Sequence, residues 1–158
     1  MHHNSEDRPM LGPRQVEILV HTALGNTYKD TANALGISVN TVKNSVRIII
    51  EKLGAVGRAH AVMLALLRGL LDLETLKDLA IPEELESGRN YGTVFEQVVT
   101  YVAQGYRNKE IGLALDFSEQ TVKNFLMSIS KELGARNRAH LVTLALILGL
   151  LDFTNLGH

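Results

Sequence analysis

The chain has 158 residues, 46% of them hydrophobic, with no cysteine and a formal net charge of −1. This is the composition of an ordinary globular chain, and it excludes disulfides and thiolate-held metals. No apolar run approaches the roughly 18 residues of a membrane-spanning helix, and the opening "MHHNSEDRP" lacks the apolar stretch of a signal peptide, so a cytoplasmic protein is the expectation.

Shifted by 80 and laid over itself, the chain matches without a gap from 11–73 to 91–153, with identity at 26 of 63 paired positions. A two-copy period of this length is too long for a solenoid unit and too gap-free for chance, so it marks a duplicated module. The segments differ in charge. Residues 11–73 carry seven Lys/Arg against four Asp/Glu, 91–153 six against six, and the connector 74–90 two against five. An acidic linker thus conceals a mildly basic first module and a neutral second one.

In chain order, the apolar spacing is helical throughout and no strand pattern appears, which predicts an all-α fold of two four-helix modules. The first helix begins near Pro13, where a missing N–H costs nothing, and buries Ile18, Leu19, Thr22 and Ala23. In the second copy Val98, Val99, Val102 and Ala103 take those places, and Gly25 and Gly105 follow as helix stops. A second helix, Tyr28–Leu35 or Asn108–Leu115, breaks at Gly36 or Asp116, residues that accept a left-handed turn.

Ser38 and Ser118 then cap a third helix, completing a helix-turn-helix. Val42, Val46, Ile49 and Leu53 point into the core, as do Val122, Leu126, Ile129 and Leu133. The opposite face is polar: Lys43, Asn44, Arg47 and Glu51 in one copy, Lys123, Asn124, Met127 and Lys131 in the other.

These residues carry a resemblance. "GPRQ" at Gly12, "YKDTA" at Tyr28, "ISVNTVKN" at Ile37, "EKLGAVGRAHAV" at Glu51, and then "NKEIG" at Asn108, "FSEQTVKN" at Phe117 and "KELGARNRAHLV" at Lys131 resemble, twice over, the four-helix DNA-binding domain of LuxR/GerE-type bacterial transcription regulators. The resemblance covers about four-fifths of the chain. It implies that the third helix enters the major groove of double-stranded DNA, with Lys43, Asn44 and Arg47, and Lys123, Asn124 and Met127, at the bases or phosphates.

The side-chain chemistry agrees for most of them. Lys and Arg donate to guanine or phosphate, and Asn pairs with adenine's edge. Met127 donates nothing, so the second copy should grip more weakly or read a thymine methyl. Thr41 and Thr121 at the helix start, with Lys29, Lys109 and Arg107 beside the turn, suit phosphate contacts that set register. An exposed Lys or Asn is ordinarily just solvated surface; the paired faces argue otherwise. The copies also depart from the family pattern: its usual His after Thr-Val-Lys is Ser45 and Phe125, and the start of the second copy reads "GTVF".

The fourth helix, "RAHAVMLALL" or "RAHLVTLALIL", has almost no polar side, and a helix apolar all round buries more than one face. Val62, Ala65, Leu66 and Leu70 can close the module's own core. His60, Met63, Leu64 and Leu67, with His140, Thr143, Leu144 and Ile147 in the second copy, await a cover, and in the resembled family the last helix is the dimer contact. The cover is the other repeat, giving an intramolecular pseudo-dimer, or a second chain, giving a homodimer. The 17-residue connector could span about 55 Å extended, against about 34 Å between half-sites one helical turn apart. A self-paired chain would read an imperfect palindrome, stronger on the Lys43 side.

His21, His60 and His140 have no second ligand at metal spacing, and no phosphate loop, carboxylate pair or nucleophile signature is present. The expectation is therefore no metal, no cofactor and no enzyme. Two readings stand: a DNA-binding regulator without an attached sensing domain, or an interaction module that captures another LuxR-type regulator through its fourth helices. The low net charge favours the second; the polar third-helix face favours the first.

Overall fold

A computed structural model of the chain describes residues 10–80 and 92–151. Linker residues 81–90, Tyr91 and the end of the second module, 152–153, lie outside them. Among the described residues every regular element is a helix: α1 (Pro13–Ala23), α2 (Tyr28–Leu35), α3 (Val39–Leu53), α4 (Arg58–Leu67), α5 (Leu73–Ala80), α6 (Thr93–Ala103), α7 (Asn108–Leu115), α8 (Glu119–Leu133) and α9 (Arg138–Ile147). None of these helices is long and apolar enough to cross a membrane.

The helix ends follow from side-chain chemistry. Pro13 opens α1, and the Gly12 N–H donates to Gln15 Oε1 at 3.0 Å. Thr27 Oγ1 accepts the Asp30 N–H at the start of α2, whereas the Arg107 N–H donates to Glu110 Oε1 at the start of α7. Left-handed Gly36 (φ 67°) and Asp116 (φ 60°) end α2 and α7, and Ser38 Oγ and Ser118 Oγ accept the Thr41 and Thr121 N–H groups at 3.1 and 3.0 Å. The turn and the start of the third helix are thus built alike in both copies, with Asp116 standing where the first copy has Gly36.

Burial follows the expected periodicity. α1 buries Ile18, Leu19, Thr22 and Ala23; α6 buries Val98, Val99, Val102 and Ala103, and adds Phe95. α3 buries Val42, Val46, Ile49 and Leu53, and α8 buries Val122, Leu126, Ile129 and Leu133.

The two modules do not close separately. α4 lies along α9, α1 also packs on α9, and α6 packs on α4. These three helix pairings correspond under the shift of 80, α4 with α9 to itself and α1 with α9 to α6 with α4, as in a self-complementary two-fold interface, here between two halves of one chain. The buried apolar residues of both modules form one continuous core. Met63 (2% exposed) and Leu144 (1%) sit within it, and burial of side chains this size contributes about 1.5–3 kcal/mol each.

The first part of the linker is more than a tether. Asp72 accepts from the Glu74 N–H and the Thr75 hydroxyl, each at 3.1 Å, and starts α5, whose buried Leu76 accompanies packing of that helix on α9.

Candidate nucleic-acid interface

The candidate DNA contacts fall on the outward faces of the two helix-turn-helices. Lys29, Thr41, Lys43, Asn44 and Arg47 of the first module are all exposed, as are Arg107, Lys109, Thr121, Lys123, Asn124 and Met127 of the second. The cause is the helical period: with Val42, Val46 and Ile49 inward, residues 43, 44 and 47 must point out. The Thr41 and Thr121 hydroxyls each pair with the capping serine at 2.8 Å, which fixes them beside the first turn of α3 and α8.

Two arginines set these helix pairs against the fourth helices. Arg58, at the start of α4, lies over the Tyr28 ring, 5.2 Å from its centroid. Its counterpart Arg138 donates to Asn108 Oδ1 at 2.6 Å and to the Tyr106 carbonyl at 2.8 Å. Burial lowers the Arg138 pKa from its ordinary value.

The polar faces themselves differ between modules. Arg47 reaches Glu51 at 3.6 Å, with both side chains about two-thirds exposed. In the second module Gln120 Nε2 donates to Asn124 Oδ1 at 2.8 Å, and Met127 is 63% exposed. Gln120 escaped the sequence reading. Its partnership with Asn124 follows from their four-residue spacing on an exposed helix face.

Of the residues expected to pair, the two histidines lie against the opposite module, His140 at Gly25 and His60 at Gly105. His140, Met63, Thr143 and Leu144 are buried, and His60, Leu64, Leu67 and Ile147 are half-buried. Gly25 and Gly105, expected only as helix stops, also admit the partner module. A Cβ on Gly25 would come within 2.8 Å of His140 Cβ; one on Gly105 would run into Val56 and lie 3.2 Å from His60 Cβ. Gly112 has a similar role inside the second module, where a Cβ would sit 2.5 Å from the Phe117 carbonyl oxygen.

Each seam histidine accepts a backbone N–H four residues earlier. Arg136 donates to His140 Nδ1 at 3.0 Å and Val56 to His60 Nδ1 at 3.1 Å, so both rings are neutral. Burial, with Arg136 adding, pushes the His140 pKa down to about 4; burial, with Arg68 adding, lowers that of His60.

One edge of the seam is tied by Arg136 Nη1 donating to Asn26 Oδ1 at 2.9 Å and Asn137 Nδ2 to the Gly25 carbonyl at 3.3 Å. At the other edge Val56, Gly57 and Tyr106 replace those polar groups, and a cleft of about 630 Å³ opens. No signal in one sequence announces this difference, because the partner of each side chain lies about 110 residues away.

Comparison with known proteins agrees with this architecture. The family model "Bacterial regulatory proteins, luxR family" matches residues 9–65 and 96–145, more than half of the chain, once in each module. Among curated relatives, the transcriptional regulatory protein YdfI of Bacillus subtilis is 37% identical over 46% of this chain and 36% of its own. The transcriptional activator protein CarR of Pectobacterium carotovorum is 36% identical over 40% of this chain and 29% of its own. The HTH-type transcriptional activator RamA of Corynebacterium glutamicum is 40% identical over 33% and 18%.

The chain thus spans well under half the length of the curated relatives it matches, and no solved structure matches it significantly. The matched relatives are regulators rather than enzymes, which agrees with the absence of any catalytic signature in the sequence. Two matched segments, in register with two copies of the same four-helix unit, establish that the chain belongs to the luxR family of bacterial regulatory proteins.

Proposed function

We propose that this chain is a sequence-specific, double-stranded-DNA-binding transcription regulator that acts in the bacterial cytoplasm as an intramolecular pseudo-dimer. Helices α3 and α8 enter successive major grooves on one side of the duplex. Lys43, Asn44 and Arg47, with Lys123, Asn124 and Met127, meet base edges, while Lys29, Arg107, Lys109, Thr41 and Thr121 hold phosphates. Residues 11–73 and 91–153 are the two modules, and 74–90 joins them.

One observation carries this reading: both Thr-Val-Lys-Asn faces are open to solvent while the helices that join the modules are buried on each other. A two-fold arrangement of two such faces suits an inverted repeat in DNA. Capture of a second regulator through the fourth helices would need surfaces that α4 and α9 already cover in this chain.

A gel shift with genomic fragments at low salt tests the proposal. The wild-type chain should retard specific fragments, and a Lys43→Ala, Asn44→Ala variant should lose them. Light scattering should give the mass of one chain in free solution. Absence of any shift, together with recovery of another regulator by pull-down, would overturn the reading in favour of protein capture.

A further inference from the structure

On each third helix, residues at intervals of four, three and four form one exposed stripe: Asn40, Asn44, Arg47 and Glu51 on α3, and Gln120, Asn124, Met127 and Lys131 on α8. The reciprocal packing of α4 on α9, α1 on α9 and α6 on α4 relates the stripes by an approximate two-fold. Arg47 and Met127 therefore face equivalent steps in the two arms of a bound duplex, and so do Asn40 and Gln120.

The chemistry at those equivalent places is not the same. A guanidinium offers two donors, which fit the two acceptors N7 and O6 of guanine. Among the described residues Arg47 pairs with Glu51 at 3.6 Å, both side chains exposed, a contact of little strength that a base edge readily replaces. Met127 has no donor, and its exposed thioether suits apolar contact with a thymine methyl.

Beside it, the 2.8 Å bond from Gln120 Nε2 fixes the Asn124 amide with its oxygen toward Gln120. The Asn124 amino group is then the donor and Gln120 Oε1 the acceptor of one composite edge. Adenine presents the complement, N7 as acceptor and N6 as donor; guanine presents two acceptors and does not fit.

We infer that the operator is an inverted repeat broken at one defined step: guanine where Arg47 reads, and an A·T pair, with adenine beneath Gln120 and Asn124, where Met127 reads. This rests on the DNA-binding reading above, and it makes Gln120 a specificity-determining residue of the second module alone.

Selection from a duplex library with both arms randomised tests it, using the wild type, Met127→Arg, Arg47→Met and Gln120→Ala. All three changes lie on exposed positions, and circular dichroism checks that each variant is folded. The wild type should enrich guanine in one arm and A·T at the matching step of the other. Met127→Arg should convert the second arm to guanine, giving a symmetric operator preferred on the order of tenfold over the wild-type site. Arg47→Met should do the reverse, and Gln120→Ala should erase the adenine preference in one arm only. A symmetric wild-type operator, or a second arm unmoved by Met127→Arg, overturns the inference while leaving DNA binding intact. A wild-type chain that retains no duplex at low salt overturns the DNA reading, and this inference with it.

Discussion

Gly25 lies directly against His140: a side-chain carbon on the glycine would come within 2.8 Å of the histidine Cβ. Gly25 also has φ +79°, so an L side chain there is strained before any clash is considered. Gly25→Ala should therefore combine about 1–2 kcal/mol of backbone strain with about 1–3 kcal/mol of overpacking at the seam. Gly36→Ala shares the left-handed backbone (φ +67°) but meets nothing within 4 Å, and should cost only the first part. Urea unfolding of the two variants measures the difference, and equal losses would mean that the seam relaxes freely around residue 25.

The same histidine gives the chain a pH dependence. Its pKa of about 4 in the folded protein compares with about 6.5 in an unfolded chain. Between those values the unfolded chain binds the proton and the folded one does not, so stability is complete above about pH 6.5 and falls as the pH drops toward 4. His60 acts in the same direction. His140→Asn keeps an acceptor for the Arg136 N–H and has no proton to gain. Thermal melts from pH 7 to pH 5 should therefore decline less steeply for the variant than for the wild type. Parallel declines would count against a neutral, buried ring.

Those two residues also mark where the sequence is readable and where it is not. Helix spans, Ser38 and Ser118 caps, the left-handed Gly36 and Asp116, and the inward stripes of α1, α3, α6 and α8 all follow from local rules, because each depends on neighbours within about four positions. The outward placement of Lys43, Asn44, Lys123 and Asn124 follows from the same periodicity. The contacts of Gly25 with His140 and of Arg136 with Asn26 span more than 100 residues, and nothing local encodes them. The apolar sides of α4 and α9 announce that something covers them; that the two helices pack on each other rests on contacts between segments about 80 residues apart, which no local rule encodes.

The two serine caps offer a local test of the helix-turn-helix. Ser118 Oγ accepts the Thr121 N–H at 3.0 Å and pairs with the Thr121 hydroxyl at 2.8 Å; Ser38 does the same for Thr41. Loss of such a cap typically costs about 1 kcal/mol. Ser38→Ala and Ser118→Ala should each lower the urea midpoint by a corresponding and similar amount, with an unchanged denaturant slope. A cost near zero at either serine would show that its helix start is held by something else.

Phosphate and base contacts respond differently to salt, and this separates the roles assigned to individual side chains. Each phosphate neutralised by a cation releases condensed counterions, so the logarithm of affinity falls with the logarithm of salt by about 0.9 per contact. Lys29 and Lys109 flank the turns, away from the Thr-Val-Lys-Asn stripes, and are exposed. Lys29→Ala and Lys109→Ala should each flatten the salt slope by about one and weaken all duplexes alike. Asn44→Ala and Asn124→Ala remove a neutral amide, so they should leave the slope unchanged while narrowing the gap between specific and random DNA. Titrating fluorescent duplexes from low to moderate salt reads both quantities in one series. A salt slope that moves with Asn44→Ala, or stays fixed with both lysine variants, would mean that the lysines do not reach the backbone and that the register of α3 and α8 on the duplex differs from the one assigned here.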